Sequence, residues 1–253
     1  MKQRYFFELS YLGTNYCGWQ KQPSSPSVQE TIENAISKLH SFEKIDVVGC
    51  GRTDTGVHAS NYFLHVDLPP KFEPEQLKFK LNGILPSDIA IHNIIQVDMN
   101  NHARFDATKR TYHYFLHTTK NPFITGQSYF FPQKLDVLKM NEACSILIGT
   151  KDFTSFSKLH TDVKTNICSI SHAKWVALEN DMLRFEISAN RFLRNMVRAI
   201  VGTLLDVGTG KLTHKDVEQI LKQKNRNSAG FSAPGQGLFL AKVEYPFLNE
   251  RLT

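Results

Sequence analysis

Hydrophobic and polar residues follow two different periods along this chain. Strict alternation is typical of half-buried strands, and recurrence every three to four residues is typical of amphipathic helices. Alternating and short apolar runs predict strands over residues 4–11, 45–50, 61–68, 88–97, 110–117, 172–178, 182–188 and 237–245. Helical spacing, with Gly and Pro as stop signals, predicts helices over residues 27–41, 74–81, 134–148, 191–206 and 213–223.

Local signals support several of these boundaries. Ser27 and Glu30 form an S-x-x-E capping box, in which each side chain satisfies a free backbone N–H at the helix start. Residues 179–181 form the predicted turn of a hairpin, and strands joined by hairpins pair antiparallel. A similar order of elements starts again near residue 104. Two domains, over residues 1–104 and 105–253, are therefore predicted.

Composition narrows the class of protein. The 253 residues suffice for one large domain or two small ones with a buried core. No apolar run reaches the roughly 20 residues that a membrane span needs, and the N-terminal stretch MKQRYFFELSYLG is too mixed for a secretory signal. A soluble, cytoplasmic protein is expected. The four Cys are scattered without a C-x-x-C pair and the ten His show no metal spacing, which argues against a zinc site and a disulfide framework.

The net charge is +6 and the sequence pI is about 9.1. Basic proteins bind polyanions because Lys and Arg release counterions from phosphates. A basic surface without a dedicated partner would have the same composition, so charge alone leaves both interpretations open.

The stretch GRTDTGVHA, residues 51–59, carries an Arg, an Asp and a His between glycines and follows an apolar run. Asp and Gly are common in plain surface turns. The same residues could instead present Arg52 and Asp54 for chemistry, because residues i and i+2 of an extended segment point the same way. His58 is interpreted as a structural hydrogen-bonding residue.

The predicted helix over residues 191–206 has one arginine-rich face. Arg191, Arg194 and Arg198 fall within about 60° of arc at 100° per residue. No acidic residue stands at the i+4 positions that would pair them, and arginine suits phosphate through its planar fork. The alternative is a solvated helix face.

The stretch ARFDATKRTYHYFLH combines aromatic and basic residues. Tyr112 and Tyr114 share one strand face, next to Arg104, Lys109 and Arg110. Aromatic rings beside a basic track suit base stacking, although core packing is the alternative. The stretch VGTGKLT lacks the residues of a P-loop, and no second carboxylate stands near Asp54 in sequence, as a paired-acid glycosidase would require.

Several separate blocks of the sequence resemble one family. These are YLGTNYCGWQKQP, GRTDTGVHA, HARFDATKRTYHY, DFTSF, NRFLRNMVRAIVGTLLDVGTGK and APGQGLFLAKVEYP. Together, in this order and spacing over about residues 4–246, they resemble the TruA family of tRNA pseudouridine synthases. The family often has Ala where this chain has Thr55, a small difference beside the key Asp.

The resemblance implies an α+β fold of two ferredoxin-like domains, whose antiparallel sheets join across a central positively charged cleft. It implies a cytoplasmic homodimer in which one tRNA contacts both subunits. The implied reaction isomerises uridines 38–40 in the anticodon arm. It uses no metal and no organic cofactor.

The resemblance also implies residue roles. Asp54 is the implied nucleophile or base, and Arg198 is its charge partner. Arg52 would assist flipping of the target nucleotide, Tyr112 would pack on the target base, and Leu238 would line the pocket. The arginine face interpretation adds Arg191 and Arg194 as phosphate contacts.

Two other classes of function stay open. A catalytically inactive RNA-binding protein on the same scaffold should lack Asp54, Arg52 or Tyr112, and this chain has all three. A hydrolase of the nucleoside bond would need a second acid to activate water, and the sequence does not place one.

Overall fold

The computed structural model describes residues 1–158 and 164–249. The strands in these ranges are β1 (Gln3–Tyr11), β2 (Val48–Gly49), β3 (His58–Leu68), β4 (Ile89–Val97), β5 (Lys109–His117), β6 (Tyr129–Phe130), β7 (Gly149–Asp152), β8 (Ile167–Ala177), β9 (Met182–Ala189) and β10 (Leu238–Glu244). The helices are α1 (Val28–Leu39), α2 (Pro74–Ile84), α3 (Val137–Leu147), α4 (Met196–Gly208), α5 (His214–Gln223) and α6 (Pro246–Asn249). This mixture of largely antiparallel strands and helices is that of an α+β protein.

Each predicted strand and each of the five predicted helices has a counterpart in the structure, with shifted ends. The pattern did not predict β6, β7 or α6, which are only two to four residues long. Elements this short have too few residues to show a period. None of the helices within the described ranges is long and apolar enough to cross a membrane.

The chain divides into two compact units. The first holds residues 1–108 together with the chain from Phe239 onward, and the second holds Lys109–Leu238. This division differs from the predicted boundary at residue 104, chiefly because the chain returns to the first unit at its end. The return is made by β10, where Phe239 pairs in parallel with His58 of β3. No signal within a short stretch of sequence predicts that β10 pairs with β3, because the two strands are far apart in the chain.

In the first unit the strand order is β4–β1–β3–β10, with β2 beside β3. The strand β1 pairs antiparallel with both of its neighbours, β3 and β4. Helix α2 packs against β4 and α1. On β1, Phe6 is fully buried and meets the rings of Tyr245 and Phe247 edge-on, at 5.5 and 5.4 Å between centroids.

The start of α1 confirms half of the predicted capping box. The Ser27 hydroxyl accepts a hydrogen bond from the backbone N–H of Glu30 at 3.2 Å. The Glu30 carboxylate forms an ion pair with Lys21 at 3.2 Å. A complete capping box is found instead at α5, between Thr213 and Asp216. The hydroxyl at the helix start therefore acts as the pattern predicts.

In the second unit the strand order is β5–β9–β8–β7, all antiparallel, with β6 parallel to the end of β5. Helix α3 packs against β8, α4 and α5. Trp175 and Phe185 stack in the core with 5.1 Å between ring centroids. The predicted hairpin between β8 and β9 is confirmed, and Asn180 and Asp181 turn the chain with positive φ.

A buried histidine makes the stability of the first unit depend on pH. His65 is 5% exposed and its Nδ1 accepts a hydrogen bond from the backbone N–H of Ala103 at 3.0 Å. Burial above all, with the nearby charge of Arg4, lowers the pKa of His65 to about 4. The unfolded chain therefore binds a proton between pH 6.5 and 4 that the native protein does not, so stability falls as the pH falls through this window.

We expect acidification from pH 7 to 5 to cost about 2 kcal/mol through His65 alone. The measurement is the free energy of unfolding in urea at both pH values. In His65→Gln, which keeps an acceptor but cannot titrate, the loss between the two pH values should be smaller by about that amount. An equal loss in both proteins would assign the pH dependence to other groups.

Candidate active site

The GRTDTGVHA stretch leads from the end of β2 into β3, which begins at His58. Thr53 is buried, whereas Arg52 is exposed and Asp54 is half-exposed. Burial thus alternates over these three residues, as on an extended segment. A turn follows, in which the backbone N–H of Val57 donates to the carbonyl oxygen of Asp54 at 3.1 Å. Asp54 therefore lies at the entrance to a turn, with its neighbour packed inward.

The preceding loop, residues 12–19, holds this stretch in place. The backbone N–H of Trp19 donates to the carbonyl oxygen of Thr53, and that of Gly56 donates to the carbonyl oxygen of Tyr16, both at 3.3 Å. His58 is fully buried, and its Nδ1 accepts from the backbone N–H of Gly13 at 2.9 Å. The interpretation of His58 as a structural hydrogen-bonding residue is confirmed.

Two glycines allow the two loops to approach closely. A Cβ at Gly13 would overlap the carbonyl oxygen of Val57, and a Cβ at Gly18 would overlap that of Thr53. Gly18 also has φ +89°, which other residues rarely adopt. The backbone around Asp54 is thus packed against another backbone, without a side chain between them.

Asp88 anchors the far side of the 12–19 loop. Its carboxylate accepts hydrogen bonds from the Tyr16 hydroxyl at 2.7 Å and from the Asn15 amide at 3.0 Å. Its carbonyl oxygen accepts from the backbone N–H of Leu12 at 2.9 Å. Burial and this carboxylate raise the pKa of the Tyr16 phenol. The 12–19 loop is therefore bonded to the Asp54 stretch on one side and to Asp88 on the other.

In the second unit, the predicted arginine face is wrong. Helix α4 begins at Met196, so Arg191 and Arg194 precede it and only Arg198 lies on the helix. Arg194 is exposed and Arg191 is half-buried. Asn195 takes φ +67°, a left-handed conformation that interrupts the helical path before Met196.

Contacts from distant parts of the chain favour this interruption. The Asn195 amide donates to the Ser232 hydroxyl at 2.7 Å. The backbone N–H of Lys158 donates to the carbonyl oxygen of Arg194 at 3.0 Å. Asparagine tolerates the left-handed region better than most residues, so these partners select a conformation that the helical period cannot reveal.

Arg198, in the first turn of α4, is held by a segment that follows α5. Its Nε donates to the carbonyl oxygen of Ala233 at 2.6 Å. The backbone N–H of Ala233 donates in return to the carbonyl oxygen of Arg198 at 3.0 Å. Because one arginine nitrogen and its backbone are both fixed, the direction of the planar guanidinium is restricted.

The segment of residues 229–234 lies directly on α4. A Cβ at Gly202 would overlap the carbonyl oxygen of Phe231, and one at Gly230 would lie 2.7 Å from the backbone nitrogen of Thr203. The Thr203 hydroxyl accepts from the backbone N–H of Gly230 at 2.9 Å. Arg226 donates to the carbonyl oxygen of Gly230 at 3.0 Å. These contacts support the position of Ala233 beside Arg198.

The two tyrosines of β5 differ in burial. Tyr112 is half-buried and meets the ring of Phe192 edge-on, with 5.1 Å between centroids. Tyr114 is fully buried and its hydroxyl donates to the carbonyl oxygen of Pro234 at 3.0 Å. Burial raises the pKa of Tyr114, while the positive charge of Arg198 acts in the opposite direction. Tyr112 therefore keeps an accessible surface, and Tyr114 is a core residue.

Leu238 is 6% exposed and begins β10. It follows Gly237, where a Cβ would lie 2.6 Å from the carbonyl oxygen of Phe115 and 2.8 Å from the Tyr114 ring. The GQG turn is thus packed on β5. Across the two units, Arg52 and Asp54 lie in the first, and the second holds Tyr112, Arg191, Arg194, Arg198 and Leu238.

Sequence reasoning missed the residues that support the site. The 12–19 loop and residues 233–234 lie in blocks that carry the family resemblance, but neither the loop nor the 229–234 segment is predicted from sequence to support Asp54 or Arg198. The density of Gly and aromatic residues in YLGTNYCGW is the signal that could have identified the first, because Gly marks close backbone approach. Within residues 1–158 and 164–249, no three His, Cys, Asp or Glu side chains are grouped as a metal site would need.

The sequence of this chain matches the model of a known protein family. A family model described as tRNA pseudouridine synthase matches residues 9–106 and 143–246. The chain belongs to the tRNA pseudouridine synthase family. The matched ranges include Asp54, Arg198 and Leu238, and Tyr112 lies between them. Pseudouridine synthases are isomerases, so the protein is an enzyme of the isomerase class.

Individual relatives in the tRNA pseudouridine synthase family match over nearly the whole chain. The chain is 52% identical to tRNA pseudouridine synthase A of Bacteroides thetaiotaomicron over 246 residues, 96% of this chain and 91% of that one. It is 51% identical to the Porphyromonas gingivalis protein of the same name, over 96% and 97% of the two chains. The Bacillus subtilis protein of this name is 42% identical over 94% and 97%.

Among solved structures, a chain titled as part of a Cbf5-Nop10-Gar1 complex covers 92% of this chain and 57% of that one. Its TM-score of 0.35 and 13% identity are too low to bear on fold or function.

Proposed function

We propose that this protein converts uridine to pseudouridine at positions 38–40 in the anticodon arm of tRNA, with Asp54 acting at the ribose as nucleophile or base. The observation that carries the proposal is the half-exposed carboxylate at the entrance to a turn whose backbone is fixed by the 12–19 loop. Such a fixed backbone suits catalysis, because the reacting atoms must be held close to their productive geometry. The name that the relatives share agrees with this chemistry.

The reaction rearranges bonds without oxidation. The N1–C1′ bond of uridine breaks, the base turns, and C5 bonds to C1′. C5 gives up its hydrogen and N1 gains one, so uridine and pseudouridine have the same atoms. The step therefore needs no redox cofactor. It needs an ionised carboxylate at the ribose, and that requirement is the same whether Asp54 attacks carbon or removes a proton.

Arg198 is proposed as the charge partner of Asp54. A guanidinium next to a carboxylate favours its ionised form when water is excluded. Support comes from the hydrogen bond between Arg198 Nε and Ala233, which restricts where the guanidinium can point. An oriented arginine can favour a buried charge without having to reorganise during the reaction.

Three further residues are proposed to handle the nucleotide. A base inside a stacked stem must leave it first, which costs a few kcal/mol. Arg52, exposed two residues before Asp54, would assist this flipping. Tyr112 would pack its accessible surface on the target base, and Leu238 would line the pocket.

Arg191 and Arg194 are proposed to contact tRNA phosphates even though they precede α4. We expect Arg194→Ala to weaken tRNA binding several-fold at low salt and to reduce the slope of log K against log[salt] by about 0.7–0.9. The measurement is filter binding or fluorescence anisotropy over a salt series. Glu179→Ala, on the β8–β9 turn, is the control. An unchanged slope in Arg191→Ala and Arg194→Ala would leave these residues as solvated surface.

The family resemblance is also the basis for our proposals on the oligomeric state and the cellular location of the enzyme. The enzyme would act in the cytoplasm as a homodimer, with one tRNA contacting both subunits. The positively charged cleft and the ferredoxin-like form of each unit belong to this proposal as well. The excess of six positive charges is the feature of this chain that supports an RNA partner.

The test is direct. An unmodified tRNA transcript carrying 5-tritiated uridine is incubated with the pure protein, because formation of the C5–C1′ bond releases tritium to water. The same RNA is digested to nucleosides and separated by chromatography, since the isomerisation does not change mass. Replacement of uridines 38–40 by cytidine should abolish the release. Tight tRNA binding without pseudouridine would favour an RNA-binding protein instead.

A further inference from the structure

The last residue of β1 is a tyrosine with a buried hydroxyl. Tyr11 is 3% exposed, and its hydroxyl forms a hydrogen bond of 2.9 Å with Oγ1 of Thr53. Thr53 immediately precedes Asp54. A phenylalanine at position 11 would fill nearly the same space and would bring no buried polar group that needs a partner. The Tyr11 hydroxyl therefore serves to orient its hydrogen-bonding partner more than to add buried surface.

Tyr11 belongs to a tightly packed aromatic cluster of Tyr11, Trp19 and Tyr62. Trp19 and Tyr62 stack with 4.2 Å between ring centroids, and Tyr11 meets Tyr62 edge-on at 5.5 Å. All three rings are less than 10% exposed. Rings packed in this way have little freedom to rotate, so the Tyr11 hydroxyl occupies a defined position.

The same cluster holds the backbone on the approach to Asp54. The Tyr62 hydroxyl donates to the carbonyl oxygen of Gly51 at 2.5 Å, and the backbone N–H of Trp19 donates to the carbonyl oxygen of Thr53. These two bonds fix the path of the chain. The hydrogen bond between the Tyr11 hydroxyl and Thr53 Oγ1 also fixes the direction of the Thr53 side chain. That direction matters for Asp54, because neighbouring side chains of an extended segment point to opposite sides.

We propose that Tyr11 is a positioning residue for Asp54: by holding the Thr53 side chain inward through Oγ1, it directs the adjacent carboxylate outward to the ribose. This inference rests on the proposed function and assigns a role to a residue that does not itself touch the nucleotide.

The experiment compares two tyrosines of the same strand. Tyr11→Phe removes the hydroxyl next to the Asp54 loop. Tyr5→Phe removes the hydroxyl of another buried tyrosine of β1, which donates to the Gln3 side chain at 2.7 Å, about 20 Å along the strand. We expect Tyr11→Phe to lower kcat about tenfold with KM within about twofold, because misplacement affects the reaction more than binding. Tyr5→Phe should retain the wild-type kcat.

Variants of Thr53 test the other partner of the same hydrogen bond. Thr53→Ser keeps the hydroxyl and should stay within about twofold of the wild-type kcat, whereas Thr53→Val keeps the shape without it and should lose about tenfold. In the double variant Tyr11→Phe/Thr53→Val the loss should remain about tenfold rather than multiply to about a hundredfold. A general loss of stability would not produce this pattern. Near-ultraviolet circular dichroism at the assay temperature verifies that each variant is folded.

The outcomes separate the two proposals. A wild-type protein that makes no pseudouridine would overturn the proposed function and the inference with it. An active wild type with Tyr11→Phe as fast as Tyr5→Phe would overturn the inference alone. Multiplying losses in the double variant would also overturn it, because the two groups would then act separately.

Discussion

Asp54→Asn is expected to lower kcat for pseudouridine formation at least about a thousandfold, as for other enzymes that lose the group reacting with the substrate. The amide has nearly the same shape as the carboxylate, but it cannot serve as an ionised nucleophile or base. The dissociation constant for tRNA should change by less than about threefold, because binding rests on phosphate contacts. Tritium release and tRNA binding measured on the same preparation check both expectations.

Asp46→Asn is the matched control for this variant. Asp46 is an exposed acid of the same unit, whose side chain is 73% exposed in a weak pair with Lys44. Exposed pairs of this kind contribute little to stability, so the control should keep its activity. If Asp54→Asn turned over at the wild-type rate, Asp54 would lose its assigned role.

Gly18→Ala is expected to damage both folding and catalysis. An alanine at φ +89° is strained by about 1–2 kcal/mol. Its methyl group would also overlap the carbonyl oxygen of Thr53 and lie 3.1 Å from the carbonyl carbon of Asp54. Overpacking typically costs a further 1–3 kcal/mol. We expect the free energy of unfolding to fall by about 2–4 kcal/mol in urea.

Catalysis should suffer even in the folded fraction of Gly18→Ala, because either the 12–19 loop or the Asp54 backbone must move. Gly83→Ala is the control. Gly83 lies in the last turn of α2 with nothing near its would-be Cβ, so alanine should raise the free energy of unfolding by about 0.5–1 kcal/mol. Equal stability of the two alanine variants would contradict the close packing at Gly18.

The helix over residues 191–206 shows where a periodic pattern misleads. Apolar residues keep helical spacing from Phe192 onward, so the pattern extends the helix over the first two arginines. The helix begins later because Asn195 leaves the helical region and bonds Ser232. That partner is 37 residues away in sequence, and no local rule contains it.

The Asp54 loop shows the same limit in the site. The resemblance implies Asp54 and Arg52 as site residues, and burial alternates over residues 52–54 as on an extended segment. The Asp54 loop is supported by Gly13, Tyr16 and Trp19 of the 12–19 loop, which Asp88 holds on its other side. These segments meet only when β1, β3 and β4 pair. Likewise, the Arg198 side chain depends on a carbonyl that the 229–234 segment brings to it.

The sequence alone determined what depends on neighbours along the chain. The strand and helix types, the Ser27 cap, the β8–β9 turn and the family follow from spacing and motifs within short windows, because side-chain period and turn chemistry are local properties. Tertiary structure alone decided the return of β10 to the first unit, the start of α4, the backbone bonds on either side of Asp54 and the bond that holds the Arg198 side chain. Each of these depends on a contact from a distant segment, and most of these contacts involve backbone groups, which are the same in every sequence.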